Sequence, residues 1–216
     1  MPIDLEAYHL IREACNKNDA QLVAVSKTKP VELIQELFDA GQRDFGENYV
    51  QELVSKHGLL SPDIRWHFIG HLQSNKVKLI APFVYLIHGI DSLRLLEEVN
   101  RQAAKLSKKI KCLLQVHIAA EDTKFGMDET ELSACLQQVR ERPEMFAHVE
   151  ISGLMGMASF SDDESVVRKE FRTLKELSLR YPAGPILSMG MSGDYRLALE
   201  EGSNMLRIGS MLFGTR

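Results

Sequence analysis

The apolar residues of this chain change repeatedly between two spacings, and this alternation limits the folds that the chain can adopt. Short runs rich in Val, Ile and Leu predict β-strands, and the longer stretches between them have the spacing of helices. We count eight strand-like runs, at residues 22–26, 43–46, 66–69, 84–87, 111–118, 149–155, 186–189 and 205–208. The helices predicted between them cover residues 31–40, 47–57, 72–80, 92–107, 129–140, 163–180 and 194–201.

A strand followed by a helix, repeated with right-handed crossovers, produces a parallel sheet. Such a sheet either stays open and doubly wound or closes into a (β/α)8 TIM barrel, and the count of eight strands favours the barrel. An extra amphipathic helix over residues 4–17 is predicted to cover the barrel bottom or a flank. A length of 216 residues fits one domain, so we expect residues 1–216 to form a single barrel domain.

Several predicted boundaries carry residues that are typical of helix ends. Pro30 suits the first position of a helix, and Gly41 suits a C-terminal cap. Ser92, after Asp91, and Ser192 suit the N-cap position, where a side-chain oxygen accepts from a free backbone amide. These stops agree with the ends of the apolar patterns.

Composition excludes several classes of function. The 26 basic and 30 acidic residues give a net charge of −4, which argues against nucleic acid as a partner. No apolar run is long enough to span a membrane, and the acidic start lacks the basic region of a targeting signal. Cys15, Cys112 and Cys135 are widely spaced and odd in number, as reduced core thiols would be. We therefore expect a cytoplasmic protein, and a monomer.

Two lysines, Lys27 and Lys29, follow the first predicted strand. Ligands of both candidate folds bind beyond the carboxyl ends of the strands, so this segment is a candidate site. Lys27 has the strand parity of Val23 and Val25, whereas Lys29 lies beside the positive end of a helix. We therefore predict Lys27 as the amine that could hold an aldehyde as a Schiff base.

The ends of the seventh and eighth predicted strands resemble the phosphate-binding loops of many barrels. Gly190, Gly193 and Gly209 allow close approach of the backbone to an anion, and Ser192 and Ser210 supply hydroxyls. The same glycines also suit ordinary turns. Because the first and eighth strands are neighbours in a closed barrel, the lysine and the anion loops can serve one small molecule.

At these positions the chain resembles the pyridoxal phosphate homeostasis proteins, which share the barrel of the alanine racemase N-terminal domain. The resemblance spans nearly the entire chain and rests on ordered blocks: AVSKTKP at 24–30, FGENYVQE at 45–52, WHFIGHLQSNK at 66–76, GLMGMA at 153–158, LSMGMSGDY at 187–195 and RIGSMLFG at 207–214. It implies that Lys27 forms the internal aldimine with pyridoxal 5′-phosphate. It also implies that Ser192, Gly209 and Ser210 hold the phosphate.

The resemblance further implies that Asn48 and Met191 line the cofactor and that Arg207 faces its pyridine nitrogen. An arginine there stays cationic and keeps that nitrogen unprotonated, which makes the ring a weaker electron sink. Racemases of the related fold also use a tyrosine base from a second domain, for which we expect no room in a chain that ends at Arg216. The resemblance therefore indicates buffering or delivery of the cofactor, with apo pyridoxal-phosphate enzymes as the expected recipients.

Two other functions stay open at this point. The first is a pyridoxal-dependent racemase or eliminase acting on a small amino acid, with Tyr49, His71 or Lys124 as the second acid or base. Lys124 could also contact the cofactor from its loop. The second is a sugar-phosphate aldolase-like barrel that uses Lys27 as its Schiff-base amine.

We expect no metal site in this chain. His67 and His71 are the pair that suggests one, but four residues of a strand span about 13 Å, and a helix through Gly70 is not favoured.

Overall fold

The computed structural model describes residues 3–120 and 125–214, and these form a closed barrel of parallel strands. The strands are hydrogen-bonded in sequence order, and the last pairs with the first, so the predicted TIM-barrel fold is confirmed. The strands are β1 Gln21–Val25, β2 Asp44–Glu47, β3 Arg65–Phe68, β4 Leu86–Ile90, β5 Ile110–Val116, β6 Val149–Gly156, β7 Ile186–Ser188 and β8 Met205–Ile208. The helices are α1 Leu5–Lys17, α2 Val31–Asp39, α3 Val50–His57, α4 Val77–Ile80, α5 Leu93–Lys105, α6 Glu129–Glu141, α7 Glu164–Arg180, α8 Tyr195–Glu200 and α9 Ser210–Phe213.

Burial on both faces explains why the strands read as continuous apolar runs. Every residue of β2, β4 and β8 is buried, because one face packs against the helices and the other fills the barrel. The barrel interior contains a small apolar cluster made of Val23, Leu86, Leu113, Met155 and Met205. Met157, which lines the cavity described below, packs against this cluster.

The N-terminal helix α1 lies against a flank of the barrel, where it contacts β1 and α9. Asp4 caps the helix by accepting a hydrogen bond from the amide of Ala7 at 2.9 Å. The amide of Asp4 itself donates to the carbonyl of Leu212, also at 2.9 Å. The two ends of the described chain are thereby joined on one side of the barrel.

The structure tests the helix caps one by one. Ser92 is the N-cap of α5, and Gly41 has a φ of +102° just after α2, as predicted. Pro30 precedes α2 as its N-cap residue, one position earlier than predicted. The prediction for Ser192 is wrong, because Asp194 is the N-cap of α8 and the Ser192 hydroxyl accepts instead from the amide of Gly209 at 3.3 Å.

Some predicted boundaries are also wrong. The helix predicted over 47–57 begins only at Val50, because Glu47 is the last residue of β2 and its carboxylate is buried in a polar network. The helix predicted over 72–80 is a 3-10 turn, Ser74–Lys76, followed by the short α4. The fourth strand, Leu86–Ile90, begins two residues later and ends three residues later than predicted, and its pairing with β5 has an irregularity.

No helix among residues 3–120 and 125–214 is long and apolar enough to cross a bilayer.

Polar side chains also occupy the barrel interior, at the end opposite the strands' carboxyl termini. Asp44 of β2 accepts from Arg65 Nε at 2.7 Å and contacts His67 Nε2 at 3.0 Å. Burial alone would raise the pKa of Asp44, but the hydrogen bonds from His67 and Arg65 outweigh it and lower this pKa to about 2. The carboxylate of Asp44 is therefore a stabilising charge of the fold.

This predicts a specific contribution of Asp44 to acid unfolding. A carboxylate whose pKa is lowered by folding stabilises the protein above its unfolded pKa, here near 3.8, and that contribution is lost as the pH falls toward 2. The shift corresponds to about 2 kcal/mol. Between about pH 5 and about pH 2, urea unfolding should therefore show a loss of stability about 2 kcal/mol larger for the wild type than for Asp44→Asn.

Asp63→Asn serves as the matched control, because Asp63 is exposed. It should keep the pH dependence of the wild type. Equal pH dependence in Asp44→Asn and the wild type would contradict the assignment.

Candidate functional site

A cavity of about 360 Å³ opens at the carboxyl ends of the strands. All seven residues that the sequence indicated line this one cavity: Lys27, Asn48, Met191, Ser192, Arg207, Gly209 and Ser210. The structure thus places the lysine after β1 and the loops after β7 and β8 around one space. The binding roles of these residues stay predictions.

The structure separates the two candidate lysines by what their amines contact. Lys29 Nζ donates to the carbonyls of Phe213 at 2.9 Å and Gly214 at 3.0 Å, so it holds the end of α9 in place. Lys27 makes no hydrogen bond or ion pair with the residues that the structure describes, and its side chain lines the cavity. Lys27 is therefore the amine available to a ligand.

A tight turn presents Lys27 to the cavity. The amide of Lys29 donates to the carbonyl of Ser26 at 3.0 Å, and Thr28 between them has a φ of +63°. A threonine in this left-handed region is strained, so the surrounding contacts must hold it there. The amide of Thr28 donates to Glu52 Oε1 at 2.6 Å, which ties the turn to α3.

A buried ion-pair network lies directly beneath this turn. The ammonium of Lys56, in α3, donates to the carbonyl of Ser26 at 2.8 Å, to Glu47 Oε1 at 2.8 Å and to Glu52 Oε1 at 2.6 Å. The Ser26 hydroxyl donates to the same Glu47 oxygen at 2.6 Å. Burial raises the pKa of Glu47, while the contacts with Lys56 and Ser26 act in the opposite direction. The network fixes the backbone on the N-terminal side of Lys27.

The loops after β7 and β8 meet at the other side of the cavity. The hydrogen bond from the Gly209 amide to the Ser192 hydroxyl joins the two loops. Asp194 Oδ1 accepts from the amide of Met191 at 2.6 Å, which folds the first loop into a tight turn. Gly190 has a φ of +97°, and a Cβ there would lie 2.5 Å from that of Ala198, so this position requires glycine.

Arg207 lies on β8 as a buried cation facing the cavity. Its Nη1 donates to the Ser188 carbonyl at 2.9 Å and to the Ser188 hydroxyl at 2.6 Å, and its Nη2 donates to the carbonyl of Gly156 at 3.0 Å. Its Nε makes no hydrogen bond to any described residue. Burial lowers the pKa of Arg207 to about 10, so the guanidinium stays charged at neutral pH.

Asn48 follows β2 and contributes an unpaired acceptor. Its Oδ1 is buried and has no hydrogen-bond partner among the described residues. A buried polar atom without a partner is costly, so it points to a donor group from a ligand or water in the cavity.

The sequence did not single out several residues of the cavity wall, whereas Gly193, one of the predicted anion-loop glycines, does line it. The residues without a predicted role are Val25, Thr28, Ile69, Met157, Phe160 and Gly214. Strand parity identifies Val25, which precedes Lys27 on the same face. Glu47 and Lys56 were also missed, because Glu47 was assigned to a helix start and nothing in the spacing marks Lys56 as buried.

The structure brings neither Tyr49 nor His71, two of the three candidate acids and bases, into this cavity. Tyr49 is about half exposed at the start of α3 and does not line the cavity. His71 also lies outside the cavity lining: its Nδ1 contacts Asp91 at 3.0 Å, and its ring stacks on that of Phe125. Lys124 lies outside the described residues. No group of metal ligands exists among residues 3–120 and 125–214, and His67 contacts Asp44 and a second histidine.

The closed barrel with a lysine after β1 and a buried arginine on β8 defines a class of barrel, that of the alanine racemase N-terminal domain. Residues 6–216 match the family described as "Alanine racemase, N-terminal domain". Within that class, this chain belongs to the pyridoxal phosphate homeostasis protein family, and the resemblance predicted from the sequence is confirmed.

The alignments with three family members cover most of this chain and most of each relative. The pyridoxal phosphate homeostasis protein of Vibrio alginolyticus is 43% identical, over 91% of this chain and 86% of its own. That of Aquifex aeolicus is 38% identical, over 95% and 93%, and the human one is 39% identical, over 91% and 76%.

Solved structures agree with the fold. PipY of Synechococcus elongatus PCC7942, solved with PLP bound, is 37% identical with a TM-score of 0.81, over 91% of this chain and 93% of that chain. Alanine racemase from Bartonella henselae is 19% identical, with a TM-score of 0.75 over 99% of this chain and 60% of that chain, which shows a common fold alone.

The buried network predicts that Lys56→Met is strongly destabilising. Removing the ammonium leaves the Glu47 carboxylate buried without its cation, at a cost of about 3–5 kcal/mol. Urea unfolding at neutral pH measures this loss.

Lys17→Met provides the matched control, since Lys17 forms an exposed pair with Glu13 one turn away in α1. Its free energy of unfolding should stay close to that of the wild type. A Lys56→Met protein as stable as Lys17→Met would show that the network does not hold the turn.

Proposed function

We propose that this protein binds pyridoxal 5′-phosphate in the cavity at the barrel mouth and holds it for reversible release. The observation that carries the proposal is the placement around one cavity of an unpaired lysine amine, two serine- and glycine-bearing loops and a buried arginine. Bound there, the cofactor supplies an aldehyde that condenses reversibly with an amine, with loss of one water.

The chemistry of the lining fits each part of this cofactor. Lys27 offers the only lining amine that is not bonded to described residues, and Ser192, Gly209 and Ser210 offer hydroxyls and backbone amides for a phosphate. A volume of about 360 Å³ lies within the usual range for a small-molecule site. The unpaired Oδ1 of Asn48 provides an acceptor for a donor group of the ligand.

Arg207 determines the electronic state of the ring in this proposal. Its cation stays charged at neutral pH, and its unbonded Nε is the donor available to a ring nitrogen. A cation beside that nitrogen disfavours its protonation, so the ring withdraws electrons weakly. This arrangement suits storage of a reactive aldehyde better than chemistry that needs a strong carbanion sink.

The relatives support the same assignment. Those from Vibrio alginolyticus, Aquifex aeolicus and human are named pyridoxal phosphate homeostasis proteins, and PipY has been solved with PLP bound. We extend that role to this chain: it buffers the cofactor and delivers it to apo pyridoxal-phosphate enzymes. Residues 1–216 act in this proposal as one binding unit, monomeric and located in the cytoplasm.

A racemase or eliminase is the alternative function. It needs a second acid or base near the substrate carbon, and the ionisable side chains on the described cavity wall are Lys27, Lys29 and Arg207. Lys29 is bonded to carbonyls and Arg207 stays protonated, so neither suits proton abstraction. Binding and release without turnover is therefore the function that this wall supports best.

The role of Lys27 is tested by adding pyridoxal 5′-phosphate to purified Lys27→Ala and Lys29→Arg proteins. We expect the Lys27→Ala protein to lose the visible absorption of the lysine-bound cofactor and to retain weak affinity through the phosphate contacts. Lys29→Arg keeps a cation near the Phe213 and Gly214 carbonyls, so its spectrum should match that of the wild type. A visible band that survives in Lys27→Ala would overturn the assignment.

The choice between storage and catalysis is tested by two assays on the loaded protein. We expect the cofactor to appear in an added apo pyridoxal-phosphate enzyme, measured by the activity that this enzyme regains. We expect no change in the enantiomeric composition of added amino acids and no keto-acid release. Turnover that disappears in Lys27→Ala would establish the racemase or eliminase instead.

A further inference from the structure

A continuous row of polar side chains runs through the barrel interior from Asp44 to Arg207. Asp44 Oδ1 contacts His67 Nε2 at 3.0 Å, and His67 Nδ1 contacts His88 Nε2 at 2.9 Å. His88 Nδ1 contacts the Ser188 hydroxyl at 3.4 Å, and that hydroxyl accepts from Arg207 Nη1 at 2.6 Å. The row crosses the barrel from β2 through β3, β4 and β7 to β8.

The Asp44 end, with both histidines neutral, gives every hydrogen bond of the row one direction. The Asp44 carboxylate only accepts, so His67 Nε2 carries a proton, and the Nδ1 of a neutral His67 accepts from His88 Nε2. The Nδ1 of a neutral His88 then accepts from the Ser188 hydroxyl. Arg207 only donates, and the Ser188 oxygen is free to accept from it. The Arg207 end is compatible with the arrangement that the Asp44 end sets.

Both histidines are neutral in this arrangement, and their surroundings agree. His67 and His88 are completely buried, and this burial lowers the pKa of both. For His88, the neighbouring His67 and the cation of Arg207 add to the effect. A proton added to His88 Nδ1 would displace the Ser188 hydroxyl as donor and break the row.

We propose that Asp44, His67, His88 and Ser188 form a one-directional hydrogen-bond relay that positions Arg207 toward the cavity. The relay links the buried guanidinium to a carboxylate that it does not touch, and polarised hydrogen bonds in a dry interior strengthen one another. The hydroxyl and the carbonyl of Ser188 both accept hydrogen bonds from Arg207 Nη1, and the carbonyl of Gly156 accepts one from Arg207 Nη2. These bonds fix the guanidinium plane and leave Nε without a partner among the described residues.

The effect of the relay on a bound ring rests on the proposed function, whereas the proton arrangement does not. The first measurement therefore uses the protein without added cofactor: the ¹⁵N resonances of the histidine rings at neutral pH. We expect His67 and His88 to be neutral with the proton on Nε2. A proton on Nδ1 of either ring, or a doubly protonated ring, would overturn the relay.

The second measurement compares Ser188→Ala with Ser203→Ala after addition of pyridoxal 5′-phosphate. Ser203 is also buried, but its hydroxyl contacts carbonyls of Leu187, Met189 and Met205 and not Arg207. Both variants lose one buried hydroxyl, so a purely structural role affects them alike. We expect Ser188→Ala to shift the visible absorption maximum and weaken cofactor affinity several-fold, and Ser203→Ala to keep wild-type values.

Asp44→Asn tests the same relay from its far end, without a contact to Arg207. We expect it to shift the absorption maximum in the same direction as Ser188→Ala and to alter the ring protonation of His67 and His88. Wild-type spectra in both Asp44→Asn and Ser188→Ala would overturn the relay while leaving cofactor binding intact. If the wild-type protein itself gives no visible band, the proposed function fails, and the histidine resonances still decide the relay.

Discussion

The pairing of β1 with β8 is the constraint on which the site depends. These two strands lie near opposite ends of the chain, and their register places Val23 beside Arg207 and Ala24 beside Ile208. Without this closure, Lys27 after β1 and Gly209 after β8 would not border one cavity. The hydrogen bond from Asp4 to Leu212 and the contacts of Lys29 with Phe213 and Gly214 join the same two regions from outside the sheet. The pairing that closes the barrel therefore also brings the two halves of the site together.

Two buried networks of polar residues then orient the side chains that barrel closure brings together. One is the ion-pair network of Glu47, Glu52 and Lys56, which holds the strained turn around Lys27. The other is the relay that ends at Arg207. Both contain charges that are costly to bury, and apolar residues of similar volume often stabilise a core as well. The contacts of the two networks instead fix the backbone beside Lys27 and the guanidinium of Arg207.

The sequence predicted the parts of this arrangement that follow from local patterns. Eight apolar runs gave the barrel, and strand parity selected Lys27 over Lys29, whose amine the structure shows bonded to carbonyls. Strand ends indicated Lys27, Ser192, Gly209 and Ser210, the resemblance added Asn48, Met191 and Arg207, and the structure places all seven candidates around the cavity. The boundary at Glu47 could not be predicted, because a charged residue before a helical pattern reads as the start of a helix.

The relay could not be predicted from the sequence for a related reason. His67, His88 and Ser188 come from three separate strands, and only the stagger of the closed sheet brings their side chains into a row. His67 and His71 share a sequence block and suggested a pair, yet the partners of His67 are Asp44 and His88. Side-chain pairing across a barrel depends on register, which the spacing of apolar residues does not determine.

The most direct test of the account is a crystal structure of the protein loaded with pyridoxal 5′-phosphate. We expect electron density continuous between Lys27 Nζ and the aldehyde carbon, with the phosphate against Ser192, Gly209 and Ser210 and the ring nitrogen facing Arg207. Density on another lysine, or a phosphate bound away from the loops after β7 and β8, would contradict it.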